Sequence, residues 1–129
     1  MIQVTAMDHI VLRVSDVERS LAWYTSRLGL EPVREAEWRA GDCPFPSVRI
    51  SADTIIDLID GDVDHDRRNL DHFCMVVSAD SMDEIRRSGD FDIVRDPDFD
   101  LFGARGMADG LYIRDPDGNE IELRAYPGE

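Results

Sequence analysis

Met7-Asp8-His9-Ile10, running on to Val14-Ser15, returns later in the chain as Leu70-Asp71-His72-Phe73, running on to Val77-Ser78. The interval from His to Ser is six residues in both copies. The ends of the copies match as well: Ile56-Asp57-Leu58 returns as Ile121-Glu122-Leu123, at an offset of 65 for the acids and 63 for the histidines. An internal repeat constrains a fold more than any single motif does. Two copies do not make a solenoid, so the pattern implies a duplicated supersecondary unit. The modules span about 6–60 and 69–126, joined by the acidic connector 60–68 in one 129-residue domain.

Within each copy the patterning predicts a strand, a helix and then about three strands, an α+β chain. From Asp8 to Val14, Ile10, Leu12 and Val14 alternate with His9, Val11 and Arg13, the period of a strand. Ser15-Asp16-Val17-Glu18 reads as a capping box, and Val17, Leu21, Tyr24 and Leu28 follow at helical spacing up to Gly29. Residues 31–39, 47–50 and 54–59 read as strands, with the two prolines of 41–46 marking a loop. In the second copy, Ser81-Met82-Asp83-Glu84 offers another capping box before a helix ending near Gly89. Asp115-Pro116-Asp117-Gly118 is turn chemistry between two short alternations, which predicts a closing hairpin over 112–124. In its second arm Ile121, Leu123 and Ala125 face the core, while Glu120, Glu122 and Arg124 face the other way.

Composition narrows the function classes. The net charge of −14 comes from 28 acidic and 14 basic residues, and all 14 are Arg. That balance argues against nucleic acid or an anionic membrane as partner. Without Lys there is no Schiff-base chemistry and no P-loop. No apolar run approaches a membrane span, and the N-terminal residues lack the basic and apolar regions of a signal peptide. Cys43 and Cys74 are too few for a disulfide scaffold, so both are expected as reduced thiols in a cytoplasmic protein.

The duplication changes how the polar residues are read. A lone strand histidine or mid-strand carboxylate is ordinarily structural. Here His9 and His72 each lie on a first strand, and Asp57 and Glu122 each lie on a last strand between aliphatic neighbours. Two halves related by a local two-fold axis would bring the four to one curved inner surface. Two neutral imidazoles and two carboxylates suit a divalent Fe, Mn, Ni, Co or Zn ion better than Ca or Mg. Arg13 and Arg124 share the strand parity of His9 and Glu122, and are expected either to hold a substrate carboxylate or enolate, or simply to pair with acidic neighbours. Cys74 shares the parity of His72 and is read either as lining the pocket or, the favoured reading, as a small buried side chain, and His65, in the connector, as solvated. The glycine-punctuated stretch 101–110 is either a lid or an ordinary connection.

The paired Asp-His openings, the helix with Trp23-Tyr24 and Leu28-Gly29-Leu30, and the closing Asp-Pro-Asp-Gly-Asn-x-Ile-Glu-Leu resemble the vicinal oxygen chelate superfamily. That group includes glyoxalase I, extradiol dioxygenases, methylmalonyl-CoA epimerase, fosfomycin-resistance enzymes and bleomycin-resistance proteins. The resemblance covers essentially the whole chain. It implies two βαβββ modules forming a cupped mixed sheet, a central metal, and a homodimer that exchanges modules or shares sites. Carried over by position, the metal ligands fall on His9, His72 and Glu122, with a fourth on Asp57. Where glyoxalase-like members have Glu, Asp57 is one methylene shorter. The fosfomycin enzymes resemble this chain in two His and one Glu but carry basic residues well beyond that Glu, which this chain lacks. Extradiol enzymes also use a further His and Tyr, for which Tyr112 is the one candidate.

The resulting expectation is a metal-dependent enzyme acting on a small oxygenated substrate. The favoured form is a glyoxalase- or isomerase-like proton transfer through a metal-stabilised enediolate, with Glu122 or Asp57 as base. Fe(II)-dependent, extradiol-like ring cleavage is the second form. A non-enzymatic binding or sequestering protein, of the bleomycin-resistance kind, is the third.

Overall fold

The computed structural model describes residues 1–128, and the chain divides into two compact units, Met1–Asp64 and a second beginning at His65. The boundary falls inside the acidic connector. In the first unit the order is β1 (His9–Val14), α1 (Val17–Ser26), β2 (Glu31–Val33), α2 (Glu35–Arg39), β3 (Ser47–Arg49) and β4 (Ile55–Asp60). In the second it is β5 (His72–Val76), α3 (Ala79–Ser88), β6 (Asp92–Arg95), β7 (Asp109–Arg114) and β8 (Glu120–Ala125). The sheets run β1-β4-β3-β2 and β5-β8-β7-β6. In each, the first strand lies parallel to the last and the remaining pairs are antiparallel. The expected α+β fold of two βαβββ modules is therefore present, the first with an added helix.

Alternation places the cores as predicted. Leu12 and Val14 of β1, Leu21 and Tyr24 of α1, Val48 of β3 and Ile56 and Leu58 of β4 are buried together in the first unit. Met75, Met82, Ile85, Leu111, Ile113, Ile121 and Leu123 do the same in the second. The closing turn forms as its residues dictate: Asp115 accepts the Gly118 N–H at 2.9 Å through its carbonyl, and Gly118 takes φ 80°. The Asp115 side chain also accepts the N–H groups of Asp117 and Asn119.

Three local expectations are corrected. Residues 31–39 are not one strand, because Arg34 takes the left-handed φ of 61° and Glu35–Arg39 form a helical turn, α2. That turn is held by the Glu35–Arg39 pair at i,i+4. The first helix is capped by Asp16, whose carboxylate accepts the Arg19 N–H at 3.0 Å, while Ser15 Oγ takes the Arg19 guanidinium. The α3 helix begins one turn before the predicted box, with Ser78 as its cap on the Ser81 N–H. Its end at Gly89, φ 73°, is as predicted. Among the described residues no helix is long and apolar enough to cross a membrane.

Candidate functional site

Each last strand is the central partner of its module and carries one buried carboxylate. Asp57 of β4 stands opposite Val11 of β1 and Ser47 of β3. Glu122 of β8 stands opposite Cys74 of β5 and Tyr112 of β7. Both faces of β8 are covered: Ile121 and Leu123 are buried on one side, and Glu122 and Arg124, 4% and 3% exposed, on the other. A carboxylate removed from water needs compensating donors, and both have them. Asp57 Oδ1 accepts Ser47 Oγ at 2.5 Å and lies 3.4 Å from Arg34 Nη2, which also bonds Ser47 Oγ. Glu122 Oε2 accepts Arg124 Nη1 at 2.9 Å and Cys74 Sγ at 3.2 Å.

These bonds occupy one oxygen of each carboxylate. The other faces a histidine. Asp57 Oδ2 lies 3.8 Å from His9 Nε2, and Glu122 Oε1 lies 3.5 Å from His72 Nε2. Each imidazole is in turn held from behind by the aspartate that precedes it, Asp8 to His9 Nδ1 and Asp71 to His72 Nδ1, both at 2.7 Å. A carboxylate on Nδ1 stabilises the tautomer whose Nε2 lone pair is free for a metal or proton. The hydrogen bond that His9 Nδ1 donates to Asp8 raises the His9 pKa. Its counterpart at the other site, between Asp71 and His72, lowers the Asp71 carboxyl.

The surroundings of Glu122 are the more elaborate. Cys74, expected to be buried, is instead an exposed residue whose thiol turns in toward Glu122. Partial burial first, and then the hydrogen bond to Glu122, push that thiol up to about 12, so Cys74 is a donor and not a thiolate. Burial and Glu122 likewise raise Tyr112. The Tyr112 ring stands edge-on to His72 at 5.3 Å, and the Arg95 guanidinium stacks over it at 4.0 Å. Arg95 also reaches Glu120 at 3.3 Å.

The structure thus brings His9 together with Asp57 and His72 together with Glu122. Arg124 adjoins Glu122 but is buried. Arg13 is exposed and lies against Gly61 just past β4. His65, expected to be solvated, is exposed but bonds the Asp117 carbonyl at 2.6 Å, bracing the closing turn. Among the described residues no group of three or more His, Cys, Asp and Glu forms a ready-made cluster. Each module offers two donors. Two ligands at adjacent positions around an ion about 2.1 Å away lie roughly 3 Å apart, so small side-chain rotations bring either pair to that spacing. The mixed imidazole and carboxylate chemistry and the carboxylate behind each ring fit a transition-metal ion.

Sequence reasoning missed Arg34, Ser47 and Arg95 as neighbours of the site. Ser47 was findable, because the offset of 65 that maps Asp57 onto Glu122 also maps Ser47 onto Tyr112, another hydroxyl. Arg34 has no such counterpart.

Comparison with known proteins agrees with this architecture. A virulence protein from Salmonella typhimurium is 28% identical, with 97% of this chain and 99% of that one covered and a TM-score of 0.72. An integron cassette protein from the mobile metagenome of V. cholerae is 23% identical over 98% of both chains, TM-score 0.73. Lactoylglutathione lyase from Agrobacterium tumefaciens shares the fold at 19% identity, covering 95% of this chain and 94% of that one, TM-score 0.65. Residues 6–123 match the family signature itself. With nearly its whole length inside that match, the chain belongs to the Glyoxalase/Bleomycin resistance protein/Dioxygenase superfamily.

Proposed function

We propose that the protein is a metal-dependent enzyme acting on a small oxygenated substrate by proton transfer, in the manner of a glyoxalase or isomerase. The observation that carries this is the twice-built chain of aspartate, imidazole and buried carboxylate: Asp8–His9–Asp57 and Asp71–His72–Glu122. His9 and Asp57 in the first module, and His72 and Glu122 in the second, are the residues proposed as metal ligands, with a homodimer as the proposed assembly. When bound, a divalent Ni, Co, Zn, Mn or Fe ion supplies Lewis-acid stabilisation of an oxyanion. Asp57 Oδ2 has His9 at 3.8 Å and, among the described residues, no closer donor, which makes it the carboxylate oxygen suited to take a substrate proton. Glu122, gripped by Arg124 and Cys74, serves better as a fixed ligand. Arg13 and Arg95, both exposed, are the guanidinium groups proposed to meet an anionic part of the substrate. Cys43 and Cys74 are both free, in keeping with a cytoplasmic setting.

The test is elemental analysis of untagged protein purified without added metal, beside His9→Ala and His72→Ala. Near-stoichiometric metal that both variants lose supports the reading. A metal-free wild type that also ignores added divalent ions sinks it, and a sequestering protein then becomes the better account. Fe(II) chemistry is the second reading. It draws on the two-His-one-carboxylate set and on Tyr112, poised edge-on to His72. Iron in the purified protein together with O₂ uptake on a catechol would favour it, and failure with every catechol would remove it.

A further inference from the structure

Arg124 is almost fully buried, and its guanidinium is committed several times over. Nη1 donates to Glu122 Oε2 at 2.9 Å and to the Phe102 carbonyl at 2.7 Å. Nη2 donates to the carbonyls of Leu101 at 2.7 Å and Gly106 at 3.2 Å. One side chain therefore joins the carboxylate of β8 to three carbonyls of the 101–106 loop. The loop is shaped for it: a Cβ at Gly103 would stand 2.3 Å from Arg124 Cζ, and Gly103 does not carry a positive φ. Tyr126 completes the mount, with Arg124 and Arg105 stacked on its ring at 5.0 and 4.3 Å and its hydroxyl accepting the Arg105 N–H. Stability alone is a weak reason for this design. A buried ion pair seldom outperforms an apolar replacement, and Arg124 Nε is itself buried with no hydrogen-bond partner among the described residues.

We propose that Arg124 is a positioning residue that clamps the 101–106 loop to Glu122, so that loop docking and the presentation of Glu122 Oε1 to a metal form one linked equilibrium. Only the metal half rests on the function proposed above. With Oε2 gripped by Arg124, the carboxylate cannot rotate away from His72, and the exposed Phe102 is held on backbone one guanidinium nitrogen from the ligand. Linkage is reciprocal: whatever undocks the loop weakens metal binding, and metal binding tightens the loop.

The loop carries its own reporter, the tryptic site after Arg105. Cleavage there is followed by mass spectrometry in metal-free wild type, Gly103→Ala, Arg124→Met, Arg124→Lys and Glu122→Gln, with Co²⁺ affinity measured spectroscopically on the same proteins. All four variants are expected to speed cleavage after Arg105 about tenfold, the effect of losing roughly one buried charged hydrogen bond, with the other arginines unaffected. Gly103→Ala is expected to weaken Co²⁺ binding about 10- to 100-fold, as loss of an outer-shell partner does. Arg124→Lys keeps a cation beside Glu122 but cannot span three carbonyls, so its Co²⁺ affinity should stay nearer wild type than that of Arg124→Met. Co²⁺ should slow cleavage after Arg105 in wild type. Unchanged cleavage in Glu122→Gln and Gly103→Ala would overturn the clamp, as would faster cleavage at all arginines together. Faster loop cleavage with wild-type Co²⁺ affinity in Gly103→Ala would overturn the linkage. A wild type that binds no Co²⁺ removes the metal half, while the cleavage series still decides the clamp.

Discussion

In the first module the guanidinium beside the buried carboxylate comes from the connection after β2: Arg34, placed by its left-handed backbone, reaches Ser47 and Asp57. In the second module it comes from the last strand itself, and Arg124 reaches outward to the connection after β6. The residue equivalent to Arg124 in the first module is Ile59, at the offset of 65. A duplicated fold has thus retained the physical requirement, a cation joining the connection to the carboxylate, while supplying it from opposite ends. The difference has a consequence for burial. Arg124 is sealed inside, with its side chain 4% exposed, whereas that of Arg34 is 38% exposed. Glu122 is consequently the stiffer carboxylate and Asp57 the looser one.

The comparison is broken most forcefully in the cores. Leu58 and Leu123 occupy equivalent positions and both are fully buried. Truncating either to Ala should destabilise the protein by about 2–5 kcal/mol, the range for a buried leucine. Urea denaturation of the two variants checks this. Losses that differ by more than about 2 kcal/mol would mean the modules are packed unequally despite their shared register.

That register was legible because it depends on local rules. Alternation placed Leu12, Val14, Ile121 and Leu123 inside, and Asp-Pro-Asp-Gly placed the closing turn. The stretch 34–39 was misread because Glu35-Ala36-Glu37-Trp38-Arg39 alternates like a strand, yet consists mostly of good helix formers. The backbone of Arg34 decides between the two, and a positive φ at a non-glycine residue has no reliable sequence mark. The helix starts were displaced because neighbouring Ser and Asp residues compete for the same cap, and longer-range partners choose between them. The repeat singled out His9, His72, Asp57 and Glu122 as candidates, and the structure pairs His9 with Asp57 and His72 with Glu122. The Arg124 clamp could not be read from the sequence, since strand parity places a side chain on a face but does not say that a loop folds over it. The Asp-His pairs were visible as a motif, but their hydrogen-bonded role needed coordinates.

The stiffness contrast predicts unequal metal dependence. If the proposed ligand set holds, Glu122→Ala should weaken Co²⁺ binding at least about tenfold more than Asp57→Ala, because a prearranged ligand loses less entropy on coordination. Asp57→Glu lengthens the side chain by one methylene and should change affinity by less than about tenfold, a step smaller than removal of an outer-shell partner. Spectroscopic titration of the three variants ranks them. Equal losses from Asp57→Ala and Glu122→Ala would mean that the grip of Arg124 and Cys74 on Glu122 confers no advantage.

The smallest effect lies in the surface arginine staples, one per module. Arg39 ties Glu18 of α1 to Glu35 of α2, and Arg86 of α3 ties Asp96 to Asp109 of β7. Only the second fastens the connection that carries the 101–106 loop. The hydrogen bond from Arg86 holds the Asp109 carboxyl below the ordinary aspartate range. A carboxylate depressed on folding stabilises the protein above its unfolded pKa, near 4, and that contribution disappears as pH falls through the folded value. Both partners are about a third or more exposed, so solvent screening limits the whole staple to roughly 0.5–1 kcal/mol. Arg86→Gln should therefore cost about that much at pH 7, with the gap to wild type narrowing below about pH 4 as Asp109 is protonated. Denaturation midpoints measured from pH 7 to pH 3 check the slope. A gap that stays constant with pH would assign the role of Arg86 to the packing of its aliphatic stem and not to its charge.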